Sequence, residues 1–287
     1  LLKKQKWYAF SKKPIAVARR VAEICLRARS HVANADASRW DGHVGEVLRA
    51  FERRAAMRAF DTSHHEELIT LMQRQYGRDA KTRAGFKYPL GFARGSGSQE
   101  TSDFNTPDNA FIAYLAFRMM GLNPQDAWEH LGVYGGDDAL TADIDIETYK
   151  RAGRAVGQEI EAEPVARHSY GVKFLARYYS PYVWHGSLFS MCDLPRTLSK
   201  FHVTVALPIG VSPLQKLREK CTGYVQCDPN TPFIGPLCRT VISMYGSTES
   251  DFGLKPYHVT DVALEDQYPN ANEGNWMVWQ TILLLPT

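Results

Sequence analysis

The sequence predicts an α+β fold in which helices pack against an antiparallel sheet, and three observations carry that prediction. Amphipathic helical stretches alternate with short β-rich ones in the first half, and residues 131–147 (LGVYGGDDALTADIDIE) read as a tight antiparallel hairpin. Past about Tyr178 the texture changes, with Pro181, Pro208, Pro213, Pro229, Pro232 and Pro236 separating short segments, which marks a boundary. Element by element, Pro14 opens a helix where its missing N–H costs nothing, with Ile15, Val17, Ala18, Val21, Ala22 and Cys25 on one side. HVANAD follows as a strand leading into Asp36. Residues 45–60 and 64–76 read as two amphipathic helices, glycines and Pro89 break the pattern in GFKYPLGFARGSGSQE, and TSDFNTPDNAFIAYLAFRMM forms a long helix. A short helix over 126–130 precedes the hairpin and another, over 146–160, follows it.

At 287 residues and 44% hydrophobic, the chain can bury a sizeable core in one large domain or two smaller ones. A net charge of +3 names no partner, yet Lys3, Lys4, Lys6, Lys12, Lys13, Arg19 and Arg20 all precede the first acid, Glu23. Such a run either suits phosphates or forms a solvated face. Five cysteines without CxxC spacing support neither a disulfide framework nor a structural zinc site, and fit a reducing compartment. No uninterrupted apolar run, neither Ile282 to Leu285 with Trp276–Trp279 nearby nor the longer Ala110 to Phe117, approaches the roughly 18 residues that span a bilayer. No signal-peptide pattern, internal repeat or low-complexity tract is visible. Without an initiator Met, the chain is expected to be a piece of a longer one.

Asp137 and Asp138 sit at the tip of the hairpin, where Gly135-Gly136 supplies the positive φ of a tight turn. Two like charges against an apolar strand raise each other's pKa unless a cation neutralises them, and Mg²⁺ is a hard ion that takes carboxylate oxygens. A solvated loop is the other reading. Upstream, Asp36 and Asp41 stand five residues apart at a strand end, so a strand-end acid and a hairpin-tip acid can face one pocket. Two divalent ions bridged by such carboxylates perform in-line phosphoryl or nucleotidyl transfer. Helix capping or turn formation is the bland alternative. In GSGSQETSDFNT, Gly95 and Gly97 make a flexible loop, Ser96 and Ser98 offer hydroxyls, and Thr101 and Asn105 share one face of the following helix. The face suits a sugar or a template backbone, or the segment is a capped helix with Ser98 or Thr101 as N-cap.

Together these residues resemble a family. DASRWD (36–41), SGSQETSDFNT (96–106) and YGGDD (134–138) are similar, in order, to motifs A, B and C of the viral RNA-dependent RNA polymerases. The fuller wording, D-x-S-R-x-D-G and S-G-S-x-E-T-S-x-F-N-T-x-x-N-A-F-x-A-Y, resembles the nodavirus replicases most, with tombusvirus-like enzymes next. VKFLARYY (172–179) resembles motif E. The resemblance covers residues 7–179 and continues more loosely beyond. It implies a right-hand polymerase: palm with partial fingers over 1–180, a thumb over 181–287, and a fingers region missing upstream.

The same resemblance implies roles. Asp36 and Asp137 bind two Mg²⁺ ions, for which Mn²⁺ can substitute, with Asp138 alongside as a weaker or indirect ligand. Asp41 and Asn105, with Ser96 and Thr101 near them, read the ribose of the incoming nucleotide; its 2′-hydroxyl both donates and accepts, so an acid and an amide suit it. Phe174, Leu175 and Arg177 grip the primer, or pack palm against thumb. The family's motif D lysine has no unambiguous match here, and EAEPVARHSYGVK (161–173) offers Arg167, His168 and Lys173 as general acids. His168 has the reference pKa nearest neutrality, unless it is a loop surface residue. The family's cations for the triphosphate come from the fingers ahead of motif A, the region missing here, unless the lysines between residues 3 and 13, or Lys81, Arg83, Lys87 and Arg94, already perform the task. Without the upstream region the chain is expected to fold through the palm yet add nucleotides poorly.

Implied partners are an RNA template with its primer or nascent strand, NTPs, the rest of the replicase, and further copies in a homo-oligomer. The implied location is the host cytoplasm, in membrane-associated replication complexes held through the missing region rather than this segment. Two other functions fit the same residues. A reverse-transcriptase-like polymerase would share the metal site but is disfavoured by Gly136 and by the Asp41/Asn105 pair. A non-catalytic RNA-binding or assembly fragment would use the basic N-terminus and the thumb.

Overall fold

A computed structural model describes residues 1–97, 100–207, 209–247 and 263–285. The chain divides into two compact units, one of Leu1–Ser11 with Ala28–Pro164 and one of Lys12–Arg27 with Val165–Thr287. Helix α1 (Pro14–Arg27) begins at the expected proline, buries the expected apolar side, and belongs to the second unit.

The first unit is built on a four-stranded sheet. Strand β1 (His31–Ala37) is followed by α2 (Glu46–Ala59), α3 (His65–Gln73), a small hairpin of β2 (Asp79–Lys81) and β3 (Lys87–Pro89), and the long α4 (Thr101–Met119). Then come α5 (Pro124–Glu129), β4 (Val133–Gly135), β5 (Asp138–Ala142), α6 (Ile146–Ala155) and β6 (Ile160–Ala166). The sheet order is β4-β5-β1-β6, with β5 antiparallel to both β4 and β1. Alternate residues of β1, Ala33, Ala35 and Ala37, put small side chains into the core beside Ala110, Ala113 and Ala116 of α4 and Ala152 of α6. Small faces let helix and sheet approach closely, and Trp7, Tyr8, Trp40, Phe117 and Tyr149 fill the remaining volume. At Gly132, just before β4, the backbone lies against β5, where a Cβ would stand 1.9 Å from the Leu140 carbonyl oxygen.

One helix boundary differs from expectation. The stretch 146–160 is helical only to Ala155, since the chain leaves helical geometry at Val156 (φ −113°, ψ 9°) and re-enters the sheet as β6. Buried Ile160 and Ala162 alternate with exposed Glu161 and Glu163 in a strand period that Pro164 interrupts before buried Val165, and Pro164 is tolerated because β6 lies at the sheet edge.

In the second unit, β7 (Lys173–Phe174), β8 (Arg177–Tyr179) and β9 (Ser190–Cys192) form a three-stranded antiparallel sheet. It is followed by α7 (Leu194–Phe201), α8 (Pro213–Cys227), α9 (Ile234–Tyr245) and α10 (Trp276–Leu283) around a core of Met191, Leu194, Cys221, Ile234, Cys238, Trp276 and Met277. A capping box of Ser212 and Gln215 starts α8 one residue before Pro213. Because β8 pairs with β9 across position 180, the division in compactness falls upstream of the boundary expected there. No helix among the described residues is long and apolar enough to cross a membrane.

Candidate active site

The hairpin closes at the Gly135–Asp138 pair, leaving Gly136 and Asp137 as a two-residue turn with Gly136 at φ 69°. Asp137 is exposed at the tip, whereas Asp138 is the half-buried first residue of β5 rather than a second tip residue. On β1 the register ends with Ala35 opposite Ala139, so its continuation by one residue sets the exposed Asp36 opposite Asp138. The three acids thus gather at adjoining strand ends. Among the described residues no cluster of three or more His, Cys, Asp or Glu is drawn together tightly enough to hold a metal ion. The donor set itself, carboxylate oxygens with two of the three acids exposed, has the chemistry that a hard divalent cation requires.

A cleft of about 710 Å³ opens beside the turn, and Asp41, Ser96, Thr101, Asn105, Gly136 and Asp137 are among its walls. Asp41 lies on a 3-10 turn (Trp40–His43) that buried Trp40 anchors. Asn105, on α4, donates from Nδ2 to Asp41 Oδ1 at 2.9 Å, which joins the two residues expected to read ribose. The Asn105 Oδ1 is buried without a hydrogen-bond partner among the described residues, on a side chain that lines the cleft. Thr101 is the first residue of α4 and donates to the Gly95 carbonyl at 3.4 Å; the N-cap is Glu100, without a side-chain cap bond. Ser98 lies outside the described residues.

Sequence reasoning missed what holds these groups. Thr106 Oγ1 accepts from the Gly136 N–H at 2.9 Å, and Asn109 Nδ2 donates to the carbonyls of Gly136 (3.1 Å) and Asp137 (2.9 Å). The buried Tyr149 hydroxyl, from α6, in turn donates to Asn109 Oδ1 at 3.3 Å. The signal was present: Thr101, Asn105 and Asn109 recur at every fourth position of α4, a polar stripe along one face.

Asp41 has a second support. The Arg94 N–H donates to the Asp41 carbonyl oxygen at 2.8 Å, and Arg94 Nε stands 4.0 Å from Asp41 Oδ1. The Arg94 guanidinium is itself buried, bonded to Glu52 and 3.5 Å from Asp108, while Arg49 meets Glu52 at 3.0 Å. Burial, and then the adjacent Glu52 carboxylate, push the Asp108 carboxyl well above the usual range, against the opposing pull of Arg94 and Arg49. Arg94 is therefore not one of the cations offered to a triphosphate; its charge is spent inside a buried network.

The remaining expected residues belong to the second unit. Arg167 donates to the Cys25 carbonyl at 3.3 Å, His168 stacks on His185 (5.0 Å between ring centroids, 19° between planes), and Lys173 pairs with Asp193 at 2.8 Å. Of the expected primer grip, Phe174 and Arg177 are buried, and the half-buried Leu175 forms the β7–β8 turn with Ala176, both at positive φ. Arg177 cannot offer its guanidinium to a strand, because Asp228 takes it at 3.0 and 3.1 Å and Tyr268 lies 4.5 Å beneath it. Burial works against that charge, but the Asp228 carboxylate outweighs it and holds the Arg177 pKa above its ordinary value.

Against solved structures, the chain superposes on the RNA-dependent RNA polymerase of a human picobirnavirus with a TM-score of 0.60, covering 79% of this chain and 43% of that one. An insertion-loop deletion mutant of that polymerase gives 0.63, covering 79% and 45%, and identity is 15% in both cases. The fold is that of the viral RNA-dependent RNA polymerases. In sequence, the chain is 31% identical over 282 residues to the RNA-directed RNA polymerase of Boolarra virus and 30% over 284 residues to that of Pariacoto virus. These alignments take in 92% and 95% of this chain but only 28% and 27% of the relatives, so the chain spans about a quarter of their length. No family model matches. The chain is thus nodavirus replicase-like over nearly all of its sequence.

Proposed function

We propose that this chain carries the catalytic core of an RNA-dependent RNA polymerase, which joins an NTP to an RNA 3′-hydroxyl and releases pyrophosphate in viral genome replication. The observation that carries the proposal is the Asn105–Asp41 bond at 2.9 Å, in a cleft whose wall includes the Gly136–Asp137 turn. Asp36 and Asp137, with Asp138 beside them, would hold two divalent ions, Mg²⁺ or Mn²⁺. Bound there, such ions lower the pKa of the attacking hydroxyl and neutralise charge on the triphosphate.

The chain's own residues do the rest. Asn105 Oδ1 accepts from a ribose hydroxyl, and Asp41, held by Asn105 and Arg94, accepts from the same sugar. Thr106 and Asn109 fix the turn, so that Asp137 is presented without reorganisation. The candidate proton donors to pyrophosphate are Arg167, His168 and Lys173. Template RNA, the nascent strand and the rest of a replicase are the partners this reading requires. Assembly into homo-oligomers, and membrane attachment in the host cytoplasm through other parts of that replicase, complete it.

A reverse-transcriptase-like enzyme would not need the Asn105–Asp41 pair. Templated incorporation of rNTP and dNTP, compared between the native protein and Asn105→Ala, separates the two. A site built to bond a hydroxyl rejects the analogue that lacks it, so the native rNTP/dNTP ratio of kcat/KM is expected to be high and to collapse in the variant. An unchanged ratio would remove the ribose assignment.

A further inference from the structure

We propose that Arg39 binds the phosphates of the incoming nucleotide, and that the left-handed backbone at this position aims it at them; the proposal rests on the polymerase reading above. Arg39 has φ 53° and ψ 46°, between the end of β1 and the Trp40–His43 turn. A long side chain rarely adopts that conformation, and where one does the surrounding structure must impose it; such positions are enriched at ligand sites. Here both flanks are pinned. Trp40 is buried, the Gly42 N–H donates to the Arg39 carbonyl at 2.9 Å, the Ser38 N–H donates to the Glu159 carbonyl at 3.1 Å, and His43 Nδ1 meets the Ser38 carbonyl at 2.8 Å. The reversed backbone leaves Arg39 exposed and among the walls of the cleft that contains Asp137.

Charge points the same way. Among the described residues that line this cleft, Asp41 and Asp137 are the acids and Arg39 is the one cation. A triphosphate brings about four further negative charges, which neighbouring carboxylates repel at close range unless cations intervene. Arg94 is committed to Glu52 and Asp108, and Lys81, Arg83 and Lys87 project from the exposed β2–β3 hairpin. The guanidinium fork matches the geometry of phosphate oxygens.

The test is isothermal titration of inorganic tripolyphosphate, with Mg²⁺ present, into the native protein and into Arg39→Lys, Arg39→Gln and Arg39→Gly. Each preparation is also scored for melting temperature and for the KM of one rNTP. Glycine accepts φ 53° without strain, so Arg39→Gly is expected to melt no lower than the native protein while binding tripolyphosphate about tenfold more weakly, the loss expected for one charge-assisted contact. Arg39→Gln should lose as much and Arg39→Lys less, with the rNTP KM rising in parallel. Tripolyphosphate affinity within about twofold of native in both Gln and Gly variants overturns the proposal. So does a loss confined to variants whose melting temperature falls. If the native protein adds no templated nucleotide, the polymerase reading fails, and the titration still decides whether Arg39 is an anion site.

Discussion

Asn109 is where the account is most exposed to a single substitution, because one side chain secures the catalytic turn from one side and is itself secured from the other. Asn109→Ala removes two donated bonds, to the carbonyls of Gly136 and Asp137, and strips the fully buried Tyr149 hydroxyl of its acceptor. Each lost bond is worth about 0.5–1.5 kcal/mol net and a stranded buried hydroxyl costs about 1–3, so the variant should lose about 2–6 kcal/mol of stability. The larger effect is on chemistry. A turn free to shift by about 1 Å misplaces Asp137, and such a misplacement costs about 10²-fold in rate. Urea unfolding measures the first quantity and single-nucleotide incorporation, at a temperature where the variant stays folded, measures the second. Asn109→Asp is the companion variant: it keeps an acceptor for Tyr149 but sets a carboxylate against two carbonyls, so it should damage incorporation at least as much. Incorporation by Asn109→Ala within about threefold of native would refute the positioning argument.

Two further outcomes test the buried charges. The carboxyl of Asp108 is raised above its ordinary 3.8, so the folded state binds a proton that the unfolded state releases; its stabilising contribution is complete below about pH 4 and declines as pH rises toward the folded pKa. Asp108→Asn should therefore flatten the fall in native stability with rising pH above that point, by up to about 1.4 kcal/mol per pH unit, and a pH-independent difference in urea unfolding would contradict it. Arg177→Met strands a buried Asp228 and should cost about 3–5 kcal/mol in unfolding, with partial recovery in Arg177→Met/Asp228→Asn; weaker primer binding at unchanged stability would restore the primer-grip role instead.

The parts of this molecule that were legible in its sequence are those governed by neighbours along the chain. The hairpin could be read because Gly136 must occupy positive φ between two apolar runs, and α1 because Pro14 and a spaced apolar side define a start and a face. Asp41 and Asn105 were legible only as members of a motif, since nothing local brings together residues on a 3-10 turn and a distant helix. Arg94 looked like a free cation because its partners, Glu52 and Asp108, stand far along the chain on two helices. The ion pair of Arg177 was hidden for the same reason, Asp228 being remote in sequence. Strand β6 was hidden differently: Pro164 interrupts its alternation, and only its place at the sheet edge makes that proline harmless.

The most direct test of the central claim is single-turnover addition of one rNMP to a templated RNA primer, in the presence of Mg²⁺, by the protein carrying this chain and by its Asp137→Asn variant. Removing a group that acts on the reacting phosphate should cost at least about 10³-fold in rate, while binding of the primer and template stays as in the native protein. Addition by Asp137→Asn at close to the native rate would show that the Gly136–Asp137 turn is not the catalytic centre.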